Sequence, residues 1–158
     1  MKFISKSTLA VMLVAASGVA FGSDAVLSMS ESSAKTNSKG LSSSVGSSRA
    51  GGSYTFDFLA GNSKAVIVQF DVNITAKADY KLDLSACNGG KIQGSDHRVF
   101  CKQLDGNRVR VLVDSPTNSE VPTSQIATIS LQAGNIAIDK SSVVVGDITA
   151  SAVDVEVL

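Results

Sequence analysis

The chain has 158 residues, with fourteen basic and fourteen acidic side chains, six Phe, two Tyr and no Trp. With the N-terminal leader described below set aside, twelve Lys and Arg stand against fourteen Asp and Glu, a net charge of −2. No clustered basic face results, so nucleic acid and anionic membrane are excluded as expected partners, and the length suits one domain with an appendage.

Residues 1–22 read as a secretory signal peptide. Lys2 and Lys6 give a basic start, Leu9 to Ala16 an apolar run, and Ala20-Phe21-Gly22 a small-residue close before Ser23. The apolar run is too short to cross a bilayer as a helix, and nothing later in the chain is longer and more apolar. No cysteine lies near its end to take a lipid. The expected protein is exported, to the periplasm or the extracellular space, without a membrane span.

From Ser28 to Ser53 the chain is dominated by Ser, Gly, Asn, Lys and Ala, with Met29, Leu41 and Val45 as the scattered larger apolar residues. So little apolar surface does not offset the roughly 1–2 kcal/mol that ordering each backbone residue costs. Residues 23–52 are therefore expected to form a flexible, Ser/Gly-rich tether, with a folded domain over residues 53–158.

Short runs of Val, Ile, Phe and Thr then alternate with Gly, Asn, Asp and Pro. Tyr54, Phe56 and Phe58 alternate before a turn at Gly61-Asn62. In the run 66–74, Val66, Val68, Phe70, Val72 and Ile74 share one face, a period of two that a helix does not imitate. Tyr80, Leu82 and Leu84 form another set. Val99 to Leu104 and Arg108 to Val113 flank Asp105-Gly106-Asn107, a sequence suited to positive φ, and so predict a hairpin with Val109, Val111 and Val113 inward. Gln125 to Leu131, Ile136 to Val145 and Ile148 to Val157 bring the total to about eight strands. No segment keeps a helical period for three turns, and an all-β antiparallel sandwich follows.

Cys87 and Cys101 are the two cysteines of the chain. In an oxidising compartment they are expected to pair, closing a loop worth about 3 kcal/mol in the chain-entropy account. One histidine and no Cys-x-x-Cys spacing leave little for a metal centre. His97, in Gly94-Ser95-Asp96-His97-Arg98, reads as a solvated loop residue; Asp96 beside it points elsewhere, and no Gly-x-Ser-x-Gly elbow presents a nucleophile. Asp57, Asp71, Asp83, Glu120, Asp147, Asp154 and Glu156 are singly spaced and read as solvated acids, without the pairing that glycoside hydrolysis needs. No catalytic set, metal site or cofactor is expected. Only Tyr54 and Tyr80 could stack on a sugar, and both are in phase with apolar neighbours.

The stretch Val66-Ile67-Val68-Gln69-Phe70-Asp71-Val72 resembles a cohesin strand with its apolar–Phe–polar–apolar pattern. Gly106 to Asn118, followed by Ile126-Ala127-Thr128-Ile129-Ser130-Leu131, is similar to the later cohesin succession of strand, loop and Ala-Thr-centred strand, and Ser141 to Val157 with Gly146-Asp147 also fits. The resemblance spans roughly Ser53 to Leu158. It implies a jelly-roll sandwich of about nine strands that binds a protein module without catalysis, dockerin in true cohesins. The chain departs from the family where no Asp-Pro pair follows Asn73 and where Thr123-Ser124 follows Pro122, which puts dockerin itself in question.

An exported noncatalytic binding module is thus expected, recognising a protein through an exposed sheet face. Parity places Ile67, Gln69 and Asp71 outside on one strand and Arg108, Arg110 and Leu112 outside on another; these six are the candidate partner-binding face. A pilin-like fibre subunit and a carbohydrate-binding module taking polysaccharide are the alternatives.

Overall fold

The structure, a computed structural model, describes residues 23–33 and 52–158. The expected leader (1–22) and most of the expected tether (34–51) lie outside the described residues. Among the described residues the fold is all-β, with eight strands: β1 Ala25–Ser33, β2 Gly52–Leu59, β3 Ala65–Asp83, β4 Gly90–Lys91, β5 Arg98–Asp105, β6 Arg108–Asp114, β7 Ser124–Asp147 and β8 Val155–Val157. They hydrogen-bond in the order β4-β5-β6-β3-β7-β2-β1-β8. Pairing is antiparallel except between β1 and β8, so the sheet is mixed rather than purely antiparallel.

Alternation reads through directly where a strand has a core on one side. Val68, Phe70 and Val72 of β3 and Val109, Val111 and Val113 of β6 are all fully buried, as their parity predicts. Tyr54, Phe56 and Phe58 of β2 are likewise inside. The 105–107 hairpin forms as expected, but positive φ is not what closes it. Instead the Asp105 carboxylate accepts the Asn107 N–H at 3.2 Å, and the register shifts between Gln103 and Asp105.

Strands β3 and β7 are longer than the alternation implies. Residues 80–83 are not a separate strand but the far end of β3, which stops short of Leu84, and the runs at 125–131 and 136–145 are two parts of β7. Together they make one long ribbon, from Ala65 opposite Asp147 to Asp83 opposite Ser130. The ribbon is irregular where Ala76 faces Gly134 and, five residues later, Lys81 faces Gln132. There Asp79 (φ 72°) and Ala133 (φ 64°) take left-handed conformations. Gly134 is required at this irregularity, since a Cβ would lie 2.8 Å from the Ala76 Cβ and 2.9 Å from Leu131 Cδ2. One half of the ribbon carries β6 on its β3 side; the other carries β2 on its β7 side. A single buried cluster draws on both halves, and the Phe56 and Phe70 rings meet within it at 5.2 Å between centroids.

Two expectations are corrected. Ala25–Ser33, assigned to a flexible tether, is strand β1, with Ala25, Val26 and Leu27 buried. Its apolar content is low, but backbone bonding to two neighbours and three buried side chains seat it. The expected strand Ile148 to Val157 shrinks to the three residues of β8. Asp147 turns the preceding segment, its carboxylate accepting the N–H groups of Thr149 and Ser151 at 2.8 and 2.9 Å.

Candidate functional site: the outer face of β5, β6 and β3

In a sheet, residues opposite one another on neighbouring strands form rows on one face. The outward row nearest the middle of this region runs Phe100 (β5), Leu112 (β6), Gln69 (β3) and Val144 (β7). At three strand spacings it is about 14 Å long. Phe100 is 39% exposed and Val144 56%, and Ile67, one step along β3, is 37% exposed. The next row runs Lys102, Arg110, Asp71 and Asp139. Arg108 lies beyond it, opposite Asn73. The six expected face residues are therefore brought together on adjacent strands, and Gln69 faces Leu112 as Asp71 faces Arg110.

Asp71 departs from the expected exposed acid. It is only 3% accessible. Arg110 lies across it and donates two hydrogen bonds, Nε at 2.7 Å and Nη2 at 3.0 Å, while the Asp71 N–H donates to Ser142 Oγ at 2.7 Å. The cause is tertiary: between Gln69 and Asp71 the register on β7 jumps from Val144 to Asp139, and the extra residues bring Ser142 onto β3. The Arg110 hydrogen bonds hold the Asp71 carboxyl below the usual carboxylate range, against burial, which pushes it up; the charges of Arg110 and Arg108 add to the lowering.

A carboxylate whose folded-state pKa is depressed contributes stability that is fully present above its unfolded pKa of about 3.9 and is lost as pH falls through the folded value. Asp71→Asn is accordingly expected to be less stable than the parent at pH 7. The two urea midpoints should converge as pH drops below about 4. A constant difference from pH 7 to pH 2 would show that ionisation of Asp71 is not what stabilises the pair.

Two other cations on this face, Arg98 and Arg108, are also engaged, in exposed geometry. Arg98 forms a bidentate pair with Asp114, with Nη2 to Oδ2 at 2.8 Å, and its guanidinium lies 5.5 Å from the Phe100 ring centroid. Arg108 approaches Asp105 at 3.4 Å. Lys102 has no ion pair among the described residues. The face thus presents an apolar strip bordered by guanidinium groups. Phe100, Val144, Arg98 and Lys102 were not among the expected face residues. The hairpin itself carried the signal for three of them, because pairing 98–105 with 108–114 puts Phe100 and Lys102 beside Leu112 and Arg110.

Away from this face, a hollow of about 630 Å³, open to solvent, includes Gly94, Asp96, His97 and Glu120 in its lining. His97, expected to be solvated, is fully buried. Its Nε2 lies 3.0 Å from the Ser119 carbonyl and its Nδ1 3.1 Å from Ser95 Oγ, so the ring ties the loop before β5 to the loop after β6. Since a carbonyl only accepts, Nε2 carries the proton. The Asp96 carboxylate stands 3.7 Å from Nδ1, too far to orient the ring. It instead accepts from the Ser115 and Thr117 hydroxyls. Thr117 foremost holds the Asp96 carboxyl low, against desolvation, with Ser115 assisting.

Tyr54, one of the two rings available for sugar stacking, is buried, its hydroxyl donating towards Glu31 and the Gly134 carbonyl. Tyr80 is half-buried, with its hydroxyl on the Gly106 carbonyl. No helix among the described residues is long and apolar enough to cross a membrane. No protein-family model matches the chain, and no curated protein matches it.

Proposed function

We propose that this is an exported, noncatalytic binding domain that recognises a protein through the outer face of β5, β6 and β3. The single observation that carries the reading is the aligned row of Phe100, Leu112, Gln69 and Val144, flanked by Ile67 on β3 and with Arg98, Lys102 and Arg110 beside it. Apolar anchors bordered by Arg are the composition that supplies most of the affinity in protein interfaces. A flat sugar site fits less well, because the Arg98 guanidinium lies over the Phe100 ring and Tyr54 is inside. The joined cysteines fit folding in an oxidising compartment. The register break in the β3–β7 ribbon and the meeting of Phe56 with Phe70 support a two-layer, cohesin-like packing in which this face is the outside of one layer.

The test begins with capture from envelope and culture supernatant of the native organism, followed by titration of the purified captured partner. Phe100→Ser with Val144→Ser is expected to weaken binding at least tenfold, while Leu59→Ser, also exposed but on β2, leaves it unchanged. Equal affinity of the Phe100/Val144 variant moves the site elsewhere. Capture of glycan alone replaces the reading with a carbohydrate-binding one, and a ladder of the chain by itself already at micromolar concentration replaces it with a fibre subunit.

A further inference from the structure

Strand β1 is held almost entirely by parts of the chain that begin eighteen residues after it ends. On one side it pairs antiparallel with β2, from Val26 opposite Leu59 to Ser33 opposite Gly52; on the other it runs parallel to β8. The Asp24 and Ala25 N–H groups donate to the Asp154 carbonyl at 3.1 and 3.2 Å, the Leu158 N–H donates to Leu27 O at 2.9 Å, and the Asp24 carbonyl accepts from Ser63. Gly61 leaves room for this docking, since a Cβ there would sit 2.5 Å from the Asp24 oxygen. The groove between β2 and β8 thus reads both backbone edges of β1 and buries Ala25, Val26 and Leu27.

The connection is far longer than the pairing needs. Ser33 and Gly52 are opposite one another, a separation that a two-residue turn closes. Residues 34–51 number eighteen and include six Ser and three Gly. A connection of that length reaches up to about 60 Å, and short tethers hold an attached ligand at an effective concentration of about millimolar. A β1 strand from another molecule would make the same backbone bonds and bury the same three side chains. Only the covalent connection favours the strand's own domain.

We infer that β1 is an exchangeable strand, which docks in the β2–β8 groove of a second copy of this chain when the local chain concentration approaches the millimolar range. Exchange of an identical element is a low-cost route to association because it creates no new interface chemistry. The inference is independent of the β5-β6-β3 face.

The test uses two single variants of the full chain, Ser30→Cys and Thr55→Cys. These positions face each other in the β1–β2 register, on the side away from the core. Each variant has one added cysteine, so a disulfide between the two introduced thiols forms only if β1 of one molecule occupies the groove of the other. The variants are mixed, oxidised and separated without reductant. The linked heterodimer is expected to be about 1% of the protein with each variant at 10 µM and about a third with each at 1 mM, following the ratio of protein to effective concentration. It should exceed the Ser30→Cys homodimer several-fold. The double variant in one chain should close within itself at 10 µM and link copies at 1 mM. Heterodimer no more abundant than the homodimers at every concentration, with the double variant closed within itself throughout, would overturn exchange. Failure of the double variant to close at all would show that β1 is not seated in this register, and would overturn it too.

Discussion

Phe70→Ala should lower the free energy of unfolding by about 3–5 kcal/mol, a large part of the roughly 5–15 kcal/mol that a domain of this size possesses. Phe70 is fully buried on β3 between neighbours that cannot close the gap: Val111 opposite it on β6 and Phe56 on β2 are also fully buried. The ring of Phe56 lies 5.2 Å from that of Phe70, tilted by 48°, a geometry in which aromatic pairs add about 0.5–1.5 kcal/mol beyond their buried area. In the hydrogen-bonded order, β2 and β3 are separated by β7. A double-mutant cycle of Phe56→Ala and Phe70→Ala therefore reports whether the two halves of the ribbon pack on one another. The double variant should lose less than the sum of the singles by about 1 kcal/mol in urea unfolding. Strict additivity would mean that the rings do not interact.

Replacing both cysteines, Cys87→Ala with Cys101→Ala, should cost about 3 kcal/mol. The bond joins the turn after β3 to β5 across a Cα separation of 5.7 Å and a sequence separation of 14, and both cysteines are buried. The loop it closes contains β4 and His97. Because His97 fastens the same loop to Ser119, the variant should keep its native fold while its urea midpoint falls. The parent, with the bond buried, should resist reduction by dithiothreitol until it unfolds. A loss under about 1 kcal/mol would show that the loop is already constrained in the unfolded chain.

The register break at Asp79 and Ala133–Gly134 divides the long ribbon, and the half that carries β6 and β5 presents its inner side to the core and its outer side to solvent. Along that outer side the Arg110 guanidinium covers Asp71 rather than projecting freely. A partner would meet the apolar strip and the exposed edge of that pair. Changing Arg110 would therefore disturb stability and recognition together, which is why Phe100 and Val144 are the substitutions that isolate binding.

Local alternation made much of this legible in advance. A period of two assigns each residue of β3 and β6 to a face without reference to any other strand, so the buried set Val68, Phe70, Val72, Val109, Val111 and Val113 and the outward set containing Ile67, Gln69, Arg108 and Leu112 follow from the residues themselves. The 105–107 hairpin and the pairing of two lone cysteines belong to the same kind of reading. The remainder depended on what lies alongside. β1 is a strand because β2 and β8 bond to both of its edges, not because its own Ser-rich sequence demands one. Asp71 is buried because a shift in β7 brings Ser142 to its backbone while Arg110 reaches across the strand. His97 is interior because Ser119, twenty-two residues away, supplies a carbonyl for its ring. Burial of a polar group is decided by whether a distant partner satisfies it, and residue order along a single strand carries no record of that partner.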